Sequence, residues 1–145
     1  MDRFGVLVFH DQHLDDEQQI SFSRQLGELE QATGDIMSDK DRRLSIELND
    51  ISNLDKHGEL LPRDDRRRLF SLGNLLWHSD SSFKDVPAKY SLLSARKIPE
   101  MGGNTEFADM RAAYDALDDA MKNEVRDLIC SHSQIFSRGI LGFDD

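Results

Sequence analysis

His78, Ser79 and Asp80 are the residues with the clearest chemical potential. On a strand, side chains two positions apart project to the same face, so His78 and Asp80 are expected to present an imidazole and a carboxylate together. Such a pair supplies two of the three donors of a facial triad. That triad, two histidines and one carboxylate, holds non-haem Fe(II) and leaves one face of the octahedron open for small ligands. Taken alone, the tripeptide also fits an accidental surface or hydrogen-bonded pair. A hydrolase reading with Ser79 as nucleophile fails on geometry: neighbours in an extended segment point to opposite faces, and no nucleophile elbow surrounds any serine.

The elements that must position this pair are set by patterning. Gly5-Val-Leu-Val-Phe9 is a short apolar run and reads as a buried strand. The recurrence of Ile20, Phe22, Leu26 and Leu29, with Asp15, Asp16 and Glu17 at the dipole-favoured end, predicts a helix from Asp15 to Gln31, with Gly34 in the break after it. Ser38 to Arg43 reads as a charged loop and Leu44 to Ile51 as a strand. Asn53 to Arg68 is a polar loop with a short helix near Asp64-Asp65-Arg66-Arg67-Arg68, its three arginines a solvated face balanced by the two aspartates or, in the sharper reading, an anion contact. Tyr90 to Ile98 and Thr105 to Ala108 read as a hairpin around Gly102-Gly103. Asp109 caps a helix carrying Met110, Ala113, Tyr114 and Leu117, and a second helix runs from Asp118 to Cys130. The order is α+β, with no repeat, linker or dinucleotide fingerprint, and residues 1–145 read as a single domain.

Composition narrows the partners. The chain has 145 residues, 18 basic and 28 acidic, for a net charge of -10. That sign disfavours nucleic acid and anionic membranes, which repel it as a whole. It is no barrier to self-association, so a homo-oligomer is compatible. Cys130 is the single cysteine, which excludes an internal disulfide framework and a cysteine-based zinc site. No apolar run is long enough to span a bilayer, and the start, Met1-Asp2-Arg3-Phe4-Gly5, carries no secretory signal, so the expected compartment is the cytoplasm. His10 and His13, beside Asp11 at a strand exit, read as solvated; His57 reads as exposed; Trp77 is expected to pack beside the site; Cys130 is expected to be a buried, inert thiol.

The stretch Asn74-Leu-Leu-Trp-His-Ser-Asp-Ser-Ser-Phe83, continued through Val86-Pro-Ala-Lys-Tyr-Ser-Leu-Leu-Ser-Ala95 and Gly102-Gly-Asn-Thr-Glu-Phe-Ala-Asp-Met-Arg-Ala-Ala-Tyr-Asp-Ala-Leu117, resembles the TauD/TfdA family of Fe(II)- and 2-oxoglutarate-dependent dioxygenases. The wording is nearest the 2,4-dichlorophenoxyacetate branch. The resemblance implies a double-stranded β-helix (a clavaminate synthase-like jelly roll) with flanking helices. It implies His78 and Asp80 as iron ligands, Thr105 on the distal carboxylate of 2-oxoglutarate, Asn74 near that co-substrate and Ser81 at a substrate-contacting backbone position. The implied reaction uses molecular oxygen, converts 2-oxoglutarate to succinate and CO2, and hydroxylates a small organic acid. Next to an ether oxygen the product is a hemiacetal, whose collapse cleaves an aryloxyalkanoate.

The family also requires a second histidine and, a little over ten residues later, an arginine that grips 2-oxoglutarate. His132 is the one histidine downstream of the pair and Arg138 follows it by only six residues, a spacing too short for that pattern. The chain therefore reads as the N-terminal half of such an enzyme, with an early strand and the C-terminal portion lacking. Exposed strand edges, poor stability alone and weak binding of iron and 2-oxoglutarate are expected. The alternative is a catalytically inactive remnant or binding module that kept the half-site.

Overall fold

Four aspartates start four helices, each by a local hydrogen bond that the sequence places within reach. The computed structural model describes residues 3–31 and 42–140. The first helix, α1, spans Asp16–Arg24 and begins in a capping box: the Asp15 carboxylate accepts from Gln18 N at 2.8 Å and the Gln18 side chain accepts from Asp15 N at 3.0 Å. It ends well short of the expected Gln31. Residues 25–27 form a turn and Gly27 adopts φ +147°, a backbone conformation that a side chain disfavours. Helix α2, Arg66–Ser71, is capped by Asp65 and runs on into a 3-10 turn, Leu72–Leu75. Helices α3, Met110–Asp115, and α4, Asp119–Val125, are capped by Asp109 and Asp118. Helix α5 spans Gln134–Gly139. The second predicted helix is thus shorter than Asp118 to Cys130.

The expected strands are not formed. Gly5 to Phe9, Leu44 to Ile51, Tyr90 to Ile98 and Thr105 to Ala108 carry no ladder among the described residues. Among the described residues a single antiparallel bridge joins Leu54 and Leu60, inside a segment read as loop. An extended run becomes a strand only when a second run satisfies its N–H and C=O groups. No described segment pairs with these four through a backbone ladder. Gly34, residues 38–41 of the charged loop and residues 141–145 of the tail lie outside the described residues.

The chain divides into two units, Leu14–Leu93 with His132–Asp145, and Met1–His13 with Ser94–Ser131. In the first, Leu61 is the most buried described side chain, and the bridge loop closes around it. Leu61 N donates to Asn53 O at 2.9 Å, and the Asp55 carboxylate accepts from His57 N and Glu59 N to hold the loop tip. The arginine run is partly tied down rather than wholly solvated. Arg67 makes a two-pronged contact with Asp65 at 3.0 and 2.8 Å, and Arg68 donates to Leu61 O at 3.0 Å. These bonds anchor α2 and the 3-10 turn on the buried Leu61 loop. In the second unit, Asp109 accepts from Arg111 N and Ala112 N, and the Arg111 guanidinium folds back on the same carboxylate. Gly102 and Gly103 both adopt left-handed φ, and a side chain at Gly103 would meet Pro99 Cγ at 2.8 Å.

Among the described residues only Ile20 and Leu61 are buried apolar side chains. Trp77 is 69% exposed and Cys130 is exposed, so neither has the packed surroundings expected for it. The apolar faces of Leu75, Leu76 and Trp77 have no described element against them to bury them. His10, His13, His57 and His132 are exposed.

Candidate metal centre

The 3-10 turn Leu72–Leu75 delivers the chain to the candidate site. Its capping residue, Leu76, is extended (φ -88°, ψ 147°), which turns the Leu76 carbonyl toward His78. His78 Nδ1 donates to that carbonyl at 2.6 Å. A carbonyl only accepts, so the proton of a neutral ring sits on Nδ1 and Nε2 carries a lone pair. Nε2 faces Asp80 Oδ1 at 3.4 Å. The other carboxylate oxygen, Asp80 Oδ2, accepts from Ser91 Oγ at 2.6 Å.

The pair is therefore brought together, by a different route from the one expected. Residues 77–79 are irregular and Asp80 opens a turn, so no strand aligns the two side chains. A backbone carbonyl orients the ring and the turn swings the carboxylate toward it. Two acceptors facing each other at 3.4 Å call for a proton or a cation between them. Adjacent octahedral donors about 2.1 Å from a metal stand about 3 Å apart, so this bite suits a six-coordinate divalent ion. A ligating histidine commonly gives its other N–H to a backbone carbonyl, as His78 does. Both side chains are about half exposed, so the pair is open to solvent on one side. Among the described residues no third His, Cys, Asp or Glu joins them.

Ser81 follows in the left-handed region, φ +57°, which is uncommon for a residue with a side chain. Its hydroxyl donates to the Glu30 carboxylate at 2.9 Å, and Lys84 pairs with the same carboxylate. Hydrogen bonding from Lys84, ahead of that from Ser81, holds the Glu30 carboxyl below the usual glutamate range. Lys84 N also bonds Ser81 O at 2.9 Å, which closes the turn. Nothing in the sequence pattern marked Glu30, because its partners lie more than fifty positions away. Ser91 was missed for a similar reason: its hydroxyl reaches back eleven positions to Asp80. Asn74 is half-buried on the 3-10 turn, four residues before His78. Thr105 is exposed and belongs to the other unit.

An irregular, carbonyl-oriented His-x-Asp pair with room for a divalent ion defines a candidate mononuclear metal protein. Residues 1–142 match the taurine catabolism dioxygenase TauD, TfdA family, and the chain belongs to that family. It is 46% identical over 142 residues to the alpha-ketoglutarate-dependent 2,4-dichlorophenoxyacetate dioxygenase of Burkholderia sp. (strain RASC), covering 98% of this chain and 48% of that protein. It is 41% identical to the (S)-phenoxypropionate/alpha-ketoglutarate-dioxygenase of Sphingobium herbicidovorans, over 96% of this chain and 44% of the other. A solved structure, AAD-2 in complex with Mn(II) and N-oxalylglycine, is 56% identical and superposes with a TM-score of 0.86 over 100% of this chain and 48% of its own. The chain spans about half the length of the curated relatives it matches.

Proposed function

We propose that this chain carries the metal-binding half-site of an Fe(II)- and 2-oxoglutarate-dependent dioxygenase whose substrate is a small aryloxyalkanoate-like acid. The observation that carries the reading is the His78–Asp80 bite, with the ring proton held on Nδ1 by Leu76 O. Kinship supports the substrate class, because curated relatives of this chain act, by name, on dichlorophenoxyacetate and phenoxypropionate. The metal and co-substrate are supported by the family and by the Mn(II) and N-oxalylglycine held by the structural neighbour. A jelly-roll barrel as the frame and residues 1–145 as part of one domain belong to the same proposal. So does a cytoplasmic location, for which the acidic composition and lone cysteine speak.

Bound Fe(II), with 2-oxoglutarate and oxygen, supplies the oxidising power to hydroxylate an unactivated C–H bond, with succinate and CO2 as co-products. The residues of this chain have simpler tasks. His78 offers Nε2 and Asp80 offers Oδ1, and Leu76 O keeps the ring turned to present that nitrogen. A single negative charge from Asp80 leaves the ion with positive charge to attract an anionic co-substrate. The Thr105 hydroxyl can donate to a carboxylate oxygen of 2-oxoglutarate and the Asn74 amide can do the same, which is the role proposed for each. Ser81 holds its turn through its side chain and through its C=O, which accepts from Lys84 N, so its backbone N–H is the group proposed to face a substrate.

Anaerobic titration of the protein with Fe(II) in the presence of 2-oxoglutarate tests the reading. A weak visible charge-transfer band that appears with 2-oxoglutarate, and that His78→Ala and Asp80→Ala each abolish, is the expected result. No band from folded protein overturns the proposal and leaves a non-catalytic member of the family.

A further inference from the structure

We propose that Ser91 is a positioning residue that fixes how Asp80 presents its carboxylate to a metal ion, a proposal that rests on the half-site reading above. Ser91 Oγ donates to Asp80 Oδ2 at 2.6 Å, a length typical of a hydroxyl bonded to an ionised carboxylate. Asp80 Oδ1 is left facing His78 Nε2. The Asp80 side chain is 59% exposed, so packing does little to restrict its rotation. The serine hydroxyl is the contact that selects one oxygen over the other.

The selection has a chemical consequence. A carboxylate can bind a metal through one oxygen or chelate it through both. With Oδ2 engaged by Ser91, Asp80 binds through Oδ1 alone and takes one coordination position. Released from Ser91, it is free to chelate or to swing toward solvent. Chelation would consume a position that a co-substrate or oxygen needs, and swinging away would lower metal affinity. Ser91 is itself exposed, so its hydroxyl has no packing role that would account for the contact.

Mn(II) affinity of the intact protein, followed by the electron paramagnetic resonance signal of free Mn(II), tests this. Ser91→Ala is expected to weaken Mn(II) binding about tenfold or more, in line with the loss of a group that orients a metal ligand. Ser91→Thr keeps the hydroxyl and is expected to bind as the parent does. Asp80→Ala and His78→Ala serve as references and are expected to abolish tight binding. Ser91→Ala binding like the parent while Asp80→Ala fails to bind overturns the proposal and leaves the half-site reading standing. Mn(II) binding unaffected by all four changes overturns both. If Ser91→Ala lowers the melting temperature in step with its affinity, Ser91 is a structural residue and the proposal is again overturned.

Discussion

At His78 the ring is oriented by a main-chain oxygen two residues back, so the side chain that matters most depends on the path of the backbone at Leu76. Glu30 does comparable work for the neighbouring turn. It gathers the Ser81 hydroxyl and the Lys84 ammonium, and the left-handed Ser81 is held by that clamp. Glu30→Gln keeps an acceptor for Ser81 and loses the charge pair, so a destabilisation of about 0.5–1 kcal/mol is expected in urea unfolding. The sign with pH is set by the lowered carboxyl. The contribution is full above the usual glutamate value and fades as pH falls through the lowered one, and Glu30→Gln should remove that part of the acid dependence. Gly103 is a second residue-scale test. Its left-handed φ and the 2.8 Å approach of Pro99 leave no room for a methyl group, so Gly103→Ala should cost about 1–2 kcal/mol, read from thermal unfolding.

Helix starts were the most legible elements. Asp15, Asp65, Asp109 and Asp118 each bond an amide two or three residues ahead, an interaction contained in a few consecutive residues. Helix ends were less legible, as at Gly27, because a helix stops where packing ceases to support it. Asp65 carries the sharpest prediction at this scale. Its carboxyl is lowered to about 2, chiefly by the Arg67 side chain. The stabilisation of α2 is therefore complete above the ordinary aspartate range and is lost as pH falls from near 4 toward 2. Protection of residues 66–71 against amide exchange, taken relative to the intrinsic rate at each pH, should fall across that window. In Asp65→Asn, which keeps the cap oxygen but not the charge, that loss of protection should vanish. Asp65→Ala removes the cap and should destabilise α2 by about 1 kcal/mol at neutral pH.

For the molecule as a whole, the dominant feature is apolar surface without a described cover. Only Ile20 and Leu61 are buried apolar residues among those described, while Trp77 and its neighbours Leu75 and Leu76 stand largely exposed. Exposed apolar patches drive association. The 145-residue polypeptide should bind a hydrophobic dye such as ANS strongly and self-associate as its concentration rises, which light scattering would follow. Trp77 is the sole tryptophan and adjoins His78, so its fluorescence reports on both exposure and the site. Emission at long wavelength, readily quenched by iodide, is expected; a blue-shifted, protected signal would show that the residue is covered.

Residue types and their spacing were enough for the helix caps, the family and the pairing of His78 with Asp80, since each is written in short runs of consecutive residues. Features that depend on distant partners emerged only in three dimensions. The expected strands formed no ladder with any described segment, Trp77 and Cys130 found no described cover, and the arginine run, balanced by Asp65 as its spacing suggested, was also drawn onto the Leu61 carbonyl. The Ser91 hold on Asp80 and the Glu30 clamp on Ser81 join residues far apart in the chain, and a hydrogen bond of that reach is set by how the backbone folds back, which no local pattern encodes.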